Sequence, residues 1–146
     1  MKFAKALVLG ALLTAGAALA EDAAPTDPQA IAREALMKVN GMNMGILGDM
    51  AGGKAAYDAA AAEAAKAALV ASLAAIETTF AEQGAADPAS TAKAEIWTGW
   101  DDFLAKSKTA IDAANALDVS SAESIGAGMG AIGGACKDCH MTYRMN

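Results

Sequence analysis

The side chains with the clearest chemical potential lie in the last residues of the chain, GGACKDCHMTYRMN. Both cysteines, Cys136 and Cys139, and the only histidine, His140, fall within five consecutive residues. Cys-x-x-Cys-His is the attachment motif of c-type haem. On one helical turn each sulfur can form a thioether bond to a haem vinyl group, and the adjacent histidine can bind the iron. The spacing therefore predicts one covalent haem, with His140 as its proximal axial ligand.

Three other chemistries use the same residue types. A thioredoxin-like redox pair is typical of a strand-to-helix turn in an α/β fold, which this sequence does not predict. A structural zinc site needs four ligands, and the chain has no further cysteine or histidine to complete one. A disulfide is allowed in an exported protein, but it leaves His140 unexplained. Covalent haem accounts for all three residues.

The amino terminus has the pattern of an export signal. Two lysines precede an apolar run, and Ala18-Leu19-Ala20 places small residues at the cleavage positions. The run is shorter and less apolar than the roughly 20 residues that a membrane span needs. We therefore expect residues 1–20 to be a cleaved signal peptide and residues 21–146 to form one periplasmic domain. No later stretch is expected to be long and apolar enough for a membrane anchor.

The charge of the chain limits its partners. The sequence carries 11 Lys and Arg against 17 Asp and Glu, a formal net charge of −6. Cleavage would remove Lys2 and Lys5, leaving nine basic against seventeen acidic residues, a net charge of −8. Nucleic acid and anionic membrane surfaces would repel such a protein, so we expect neither as a partner. A basic or locally basic protein surface is favoured.

Alanine supplies more than half of the apolar residues. An alanine buries little area, whereas burying a leucine or phenylalanine contributes about 1.5–3 kcal/mol. The composition therefore predicts a thin core that a large apolar cofactor would complete.

Four helical segments are predicted from apolar spacing and capping residues. They run from Asp27-Pro28 to Ala51, from Asp58 to Phe80, from the region 94–100 to Leu117, and from a capping box at Ser120–Glu123 into the cysteine motif. No alternating strand pattern is present. Four amphipathic helices with short links predict an all-α, antiparallel four-helix bundle, with the haem near the C-terminal helix.

Five glycines interrupt the fourth predicted helix: Gly126, Gly128, Gly130, Gly133 and Gly134. Each costs about 1 kcal/mol relative to alanine inside a helix. Either this segment is frayed, or the missing side chains let a bulky group or another helix approach the backbone. The adjacent haem motif favours the second interpretation.

Together these features resemble the class II cytochromes c, the cytochrome c' family. The resemblance extends over essentially all of residues 21–146. Besides the C-terminal motif it includes Tyr143-Arg144, Ile96-Trp97, the first-helix stretch 33–38 and Tyr57-Asp58. It implies a four-helix bundle with one covalent haem.

The resemblance also implies residues around that haem. In the family, an arginine four residues after the histidine lies beside this ligand, and here that position is Arg144. A first-helix arginine approaches a haem propionate, which corresponds to Arg33. Trp97 and Phe103 would line the pocket. The alternatives are solvated surface charges for the two arginines and ordinary core packing for the two aromatic residues.

The position four residues after the first-helix arginine distinguishes two branches of the family. An apolar non-ligand there leaves the iron five-coordinate and high-spin, whereas in the cytochrome c-556 branch a methionine ligates it. This chain has Met37, within LMKVNGMNMGILGDM, and is similar to the second branch. The resemblance therefore implies Met37 as the distal axial ligand. Met44, which shares a helix face with Met37, and simple core packing are the alternatives.

These inferences predict a periplasmic electron carrier with His/Met-ligated haem, and not an enzyme. No second histidine and no Ser/His or carboxylate constellation is available for acid–base work. The expected partners are redox proteins, and the resemblance implies a homodimer through the first two helices. The leading alternative is a five-coordinate cytochrome c' that binds or sequesters nitric oxide or other gases. A stress-related haem protein without a dedicated redox partner is a third hypothesis.

Overall fold

The computed structural model describes residues 24–145, and the predicted signal peptide lies outside them. Its helices are α1 (Pro28–Ala51), α2 (Ala59–Ala74), α3 (Ile76–Phe80), α4 (Glu95–Thr98), α5 (Trp100–Ala116) and α6 (Ala122–Tyr143). Only Ala75 separates α2 from α3, and only Gly99 separates α4 from α5, so the six helices form four rods. Both α1 and α5 pack against α2 and against α6. The predicted antiparallel four-helix bundle is confirmed.

The first two long helices begin at the predicted positions, and each has an aspartate cap. The Asp27 carboxylate accepts hydrogen bonds from the backbone N–H groups of Gln29 and Ala30, and Pro28 occupies the first turn of α1. Asp58 caps α2 in the same way. Each cap satisfies N–H groups that have no partner inside the helix.

The capping box of α6 lies one residue later than predicted. Ser121, not Ser120, is the N-cap and accepts a hydrogen bond from the Ser124 N–H. The Ser124 hydroxyl accepts the reciprocal bond from the Ser121 N–H, the role that the prediction assigned to Glu123. The short serine side chain replaces the usual Glu or Gln of the box, which is why the sequence pattern pointed to the wrong register.

The expectation that no later stretch is long and apolar enough to span a membrane is wrong, because one helical segment meets both criteria. The segment Ala59–Phe80 covers 22 residues with a mean hydropathy of 1.5. Its alanines raise this average without adding large side chains. Leu69, Leu73, Ile76 and Phe80 lie on its buried side in the bundle core, as they would in any core helix.

The core is thicker than the composition suggests. Of the 17 buried residues that form its main cluster, only four are alanine. The ring centroid of Phe103 lies 5.3 Å from those of both Phe80 and Tyr143 and 5.4 Å from that of Trp100. Folding therefore collects the few large side chains in one place, and the predicted thinness is overstated.

The loop between α3 and α4 is tied to the start of α1. The Asp87 carboxylate accepts hydrogen bonds from the N–H groups of Thr26 and Asp27, at 2.6 and 2.8 Å. These bonds lower the pKa of Asp87 to about 2. Gly84 has a φ of +75°, and a side chain there would collide with the Asp27 carboxylate and with Gln29. The loop therefore requires glycine at position 84.

Gly84→Ala should lower the free energy of unfolding by about 1–3 kcal/mol, because alanine is strained at positive φ and its Cβ would press on the α1 cap. Gly53→Ala is the matched control, since Gly53 has a φ of +70° with no atom within 4 Å of an added Cβ. Urea unfolding followed by circular dichroism measures both. Equal losses in the two variants would contradict the collision with the cap.

Candidate functional site

Helices α1 and α6 approach closely where the end of α1 passes the first half of α6. A Cβ added to Gly48 would lie 3.8 Å from the Met129 Cε, and one added to Gly126 would lie 3.8 Å from the Ala51 Cβ. The two pairs define an antiparallel register, because residue numbers rise along one helix as they fall along the other. The small residues Gly48, Ala51 and Gly126 allow this approach.

The same register brings the predicted ligands level with each other. Counting four residues back from Gly48 and four on from Met129 places Met44 level with Gly133. Counting seven residues in the same way places Gly41 level with Cys136, and counting eleven places Met37 level with His140. Steps of four, seven and eleven residues keep to one face of a helix. Met37, Gly41 and Met44 therefore face Gly133, Cys136 and His140, and we name the space between these two sets the α1–α6 cleft.

Two glycines of these facing sets, Gly41 and Gly133, have open space beside them. No atom of another element lies within 4 Å of a Cβ added to Gly41 on α1 or to Gly133 on α6, in contrast to the close contacts at Gly48 and Gly126. The absence of side chains at these two positions leaves room for a flat group to approach the backbone. Elsewhere on α6, Gly126 and Gly128 allow close packing, against Ala51 and Leu117 respectively.

The three residues of the haem motif lie near the end of α6, with Cys136 and His140 on the cleft face. Cys136 and Cys139 are half-buried free thiols on one helical turn. His140 is accessible to solvent on one side, and partial desolvation of its imidazole, together with the positive charge of Arg144, lowers its pKa. A lowered pKa favours the neutral imidazole, which is the form that binds metals. Two thiols, a neutral imidazole and an open cleft are what a covalent haem requires, so these residues fit the group.

The competing cysteine chemistries receive no support. Burial raises the pKa of Cys136, and it raises the pKa of Cys139 to about 11. A reactive redox thiol instead needs a lowered pKa. Within residues 24–145 no three His, Cys, Asp or Glu side chains are grouped as metal ligands. Thioredoxin-like and zinc-binding roles are thus unsupported by the site.

Arg33 is buried, so the interpretation of it as a solvated surface charge is wrong. Its side chain is 5% exposed, and its Nη1 donates hydrogen bonds to the carbonyl oxygens of Glu82 and Gln83, both at 3.1 Å. The guanidinium carbon lies 5.1 Å from the ring centroid of Trp97. Burial lowers the pKa of Arg33, and its Nε lacks a hydrogen-bond partner among the described residues.

Trp97 and Arg33 are brought together by the fold, while Arg144 lies at the end of α6. The Trp97 Nε1 donates a 2.8 Å hydrogen bond to the Phe80 carbonyl oxygen, which holds the indole against Arg33. Arg144 is exposed, and its backbone N–H caps the last turn by donating to the His140 carbonyl oxygen. Phe103 is 2% exposed within the aromatic cluster, which core packing explains.

The methionines of α1 differ in their surroundings. Met37 and Met44 are half-buried and pack against the core, whereas Met42 is 62% exposed. Met37 alone has a polar neighbour at its sulfur: the Asn40 Nδ2 lies 3.8 Å from the Met37 Sδ. Asn40 is buried and bonded to Ser72 on α2. Sequence reasoning missed this pair, although a polar residue on the apolar face of α1 was a signal that could have revealed it.

Comparisons with known proteins identify the family of this chain. The family described as Cytochrome C' matches residues 14–144. A cytochrome c-556 from Agrobacterium tumefaciens (strain apple 185) is 36% identical over 117 residues, covering 78% of this chain and 92% of that protein.

Two solved structures share the fold. A cytochrome c' from Rhodobacter Spheriodes is 31% identical, with a TM-score of 0.73 over 81% of this chain and 95% of that chain. A second cytochrome c', described as having an unusual ligand-controlled dimer dissociation, is 27% identical, with a TM-score of 0.71 over 81% and 95%. The family match includes the C-terminal motif. The chain therefore belongs to the cytochrome c' family, whose members carry one covalently bound haem c.

Proposed function

We propose that this protein is a periplasmic electron carrier whose haem iron is ligated by His140 and Met37. The observation that carries the proposal is the antiparallel register, in which Met37 is level with His140 on the opposite wall of the α1–α6 cleft. Haem c supplies one-electron exchange between ferric and ferrous iron. The chain would contribute the tether, both axial ligands and the apolar surroundings that set the reduction potential.

Each side chain has a distinct part in this arrangement. Cys136 and Cys139 would bind the haem edge to α6 through thioether bonds. The neutral His140 imidazole would present its ring nitrogen to one side of the iron and the Met37 sulfur its lone pair to the other. With both axial positions held by protein, no position is left for a substrate, which supports a carrier and not an enzyme.

The two arginines would tune the same centre. We propose that Arg33 pairs with a haem propionate, because its buried Nε has no acceptor among the described residues and burial favours an anionic partner. Trp97 would hold Arg33 in place through their stacking. Arg144 would place a positive charge beside His140, which disfavours the ferric state and raises the potential.

A five-coordinate cytochrome c' that binds nitric oxide is the second candidate. The names of the family and of both solved structures favour it, while Met37 and the cytochrome c-556 relative favour the electron carrier. Optical spectra of the purified holoprotein in both oxidation states separate the two. The electron carrier requires low-spin ferric iron with a weak long-wavelength sulfur-to-iron band; a high-spin spectrum would transfer the assignment to gas binding.

Export and partner use need separate measurements. The mass of the holoprotein from the periplasmic fraction should equal residues 21–146 plus one haem. Stopped-flow reduction by small redox proteins should be fast and should slow as salt rises, because an acidic protein attracts a basic partner electrostatically. Slow reduction by every donor tested, at all salt concentrations, would instead favour a haem protein without a dedicated partner.

We also propose that the protein forms a homodimer through α1 and α2. The outer side of α1 exposes a stripe of apolar side chains, consisting of Ile31, Val39, Met42 and Ile46, which are 37–62% exposed. The outer positions of α2 are mostly alanine, which permits close approach of a second copy. Burial of this stripe supplies the driving force for association.

Met42→Glu should weaken dimerisation by at least about tenfold, because a carboxylate would be buried at the interface without a partner. Met141→Glu is the matched control: Met141 is 63% exposed but lies on α6, outside the stripe. Sedimentation velocity over a range of concentrations measures both variants. A monomeric unmodified protein, or equal weakening by the two substitutions, would contradict this interface.

A further inference from the structure

We propose that Asn40 is a positioning residue for the Met37 sulfur, held in place by Ser72, and that it raises the reduction potential of the haem. This inference rests on the proposed ligation by Met37. The carboxamide of Asn40 is 8% exposed and the hydroxyl of Ser72 is 7% exposed, so both polar groups are buried between α1 and α2. Buried polar groups need hydrogen-bond partners, and those available here determine how the amide is oriented.

The contact with the Met37 sulfur favours one orientation of the amide. The Ser72 Oγ lies 2.5 Å from the Asn40 Oδ1 and 3.0 Å from the Leu69 carbonyl oxygen, and the shorter contact takes its single proton. The Asn40 Nδ2 then faces the Met37 Sδ at 3.8 Å. The reverse orientation would set the amide oxygen against a sulfur that has no proton, so two acceptors would meet. Asn40 therefore donates an N–H to the thioether.

A thioether sulfur has two lone pairs, so the Met37 sulfur can accept the Asn40 N–H with one and bind the iron with the other. The N–H of Asn40 engages one lone pair, which leaves the other for the iron. The donor thereby selects a single configuration at the sulfur and restricts rotation of the flexible methionine side chain. Because Ser72 belongs to α2, the position of the sulfur is linked to the packing of α1 on α2.

The same hydrogen bond has an electrostatic consequence. The N–H of Asn40 withdraws electron density from the Met37 sulfur and would place the positive end of an amide dipole beside this iron ligand. Both effects disfavour the ferric state, which carries one more positive charge than the ferrous state. A neutral hydrogen bond contributes about 0.5–1.5 kcal/mol, so its loss can shift the redox equilibrium by at most about tenfold.

The test compares Asn40→Leu with Asn43→Leu in the holoprotein. Asn43 is also buried on α1, but its Nδ2 donates to the Val39 carbonyl oxygen within the same helix. Potentiometric titration should show Asn40→Leu shifted towards the ferric state by about threefold to tenfold; tenfold corresponds to about 59 mV for one electron. Asn43→Leu should stay within about twofold of the unmodified protein. Ser72→Ala should shift in the same direction as Asn40→Leu, by less.

A second readout follows the sulfur directly. The methionine methyl resonance of the ferrous protein should be one sharp signal, and in Asn40→Leu it should broaden or split as the sulfur samples two configurations. If Asn40→Leu does not fold, Ser72→Ala decides the outcome by the same measurements. A low-spin protein in which neither variant changes the potential or this resonance would overturn the inference while leaving Met37 as ligand. Equal shifts in Asn40→Leu and Asn43→Leu would overturn it as well, whereas high-spin iron in the unmodified protein would overturn the ligation itself.

Discussion

Met37→Leu is expected to convert a low-spin, six-coordinate haem protein into a high-spin, five-coordinate one. Leucine occupies a similar volume on α1 but offers no lone pair, so the distal side of the iron loses its ligand while the half-buried site remains filled. The ferric spectrum should lose its weak long-wavelength band. Among the methionines of α1, only Met37 should control the spin state.

Ligand binding gives the size of this effect. In the unmodified protein carbon monoxide can bind only when the sulfur has left the iron. If this state is populated to about 1%, removing the sulfur raises the apparent affinity for carbon monoxide about a hundredfold. Titration of the ferrous protein with carbon monoxide, followed in the Soret band, measures the change. Nitric oxide should bind more readily in the same way.

Met44→Leu is the control for this prediction. Met44 shares the cleft face of α1 with Met37 and is also half-buried, but it is level with Gly133, two helical turns from His140. Its substitution should leave the spectrum and the affinity for carbon monoxide nearly unchanged. A spectrum that responds to Met44 and not to Met37 would show that the register of α1 against α6 has been misassigned.

The second large effect is expected from Cys136→Ala combined with Cys139→Ala. Without either sulfur no thioether bond can form, and the haem should be lost completely in acid–acetone extraction, whereas the unmodified protein should retain it. Each single variant should retain one thioether bond and part of the haem. Freely extractable haem in the unmodified protein would contradict covalent attachment through these cysteines.

The double variant should also be less stable. The walls of the α1–α6 cleft would face water, and a ligand present at a hundred times its dissociation constant already contributes about 2.7 kcal/mol to stability. We therefore expect a loss of at least about 2 kcal/mol in urea unfolding and faster proteolysis near the cleft. The aromatic cluster around Phe103, which packs against Tyr143 at the end of α6, should preserve much of the helical structure. Cooperative unfolding at the unmodified midpoint would show that the haem does not support the fold.

Local signals in the sequence were sufficient to predict the helices and the three residues of the haem motif. The caps at Asp27 and Asp58 act over three residues, and Cys136, Cys139 and His140 lie on about one turn of helix, so a short stretch contains all the information. Two consecutive serines precede α6, and the prediction therefore placed its N-cap one residue too early, at Ser120 instead of Ser121. The break at Ala75 was missed because neither glycine nor proline marks it.

The rest of the site depended on contacts between distant parts of the chain. Sequence periodicity placed Met37 and Met44 on one face of α1, but only the approach of Gly48 to Met129 establishes which of them is level with His140. Helix register is determined by how side chains of two helices interdigitate, and no short sequence pattern encodes it.

Burial was likewise a property of the tertiary structure. Arg33 is a charged residue in a polar-looking stretch, and it becomes buried because the α3–α4 loop presents two carbonyl oxygens and Trp97 covers its guanidinium group. Asn40 meets Ser72 across 32 positions in the chain. The sequence alone thus determined the cofactor chemistry and the four helical segments of the bundle, because both depend on residues that are close together in the chain. Only the packing of the rods decided which side chains surround the cofactor, because partners far apart in the chain are brought together by burial of the core.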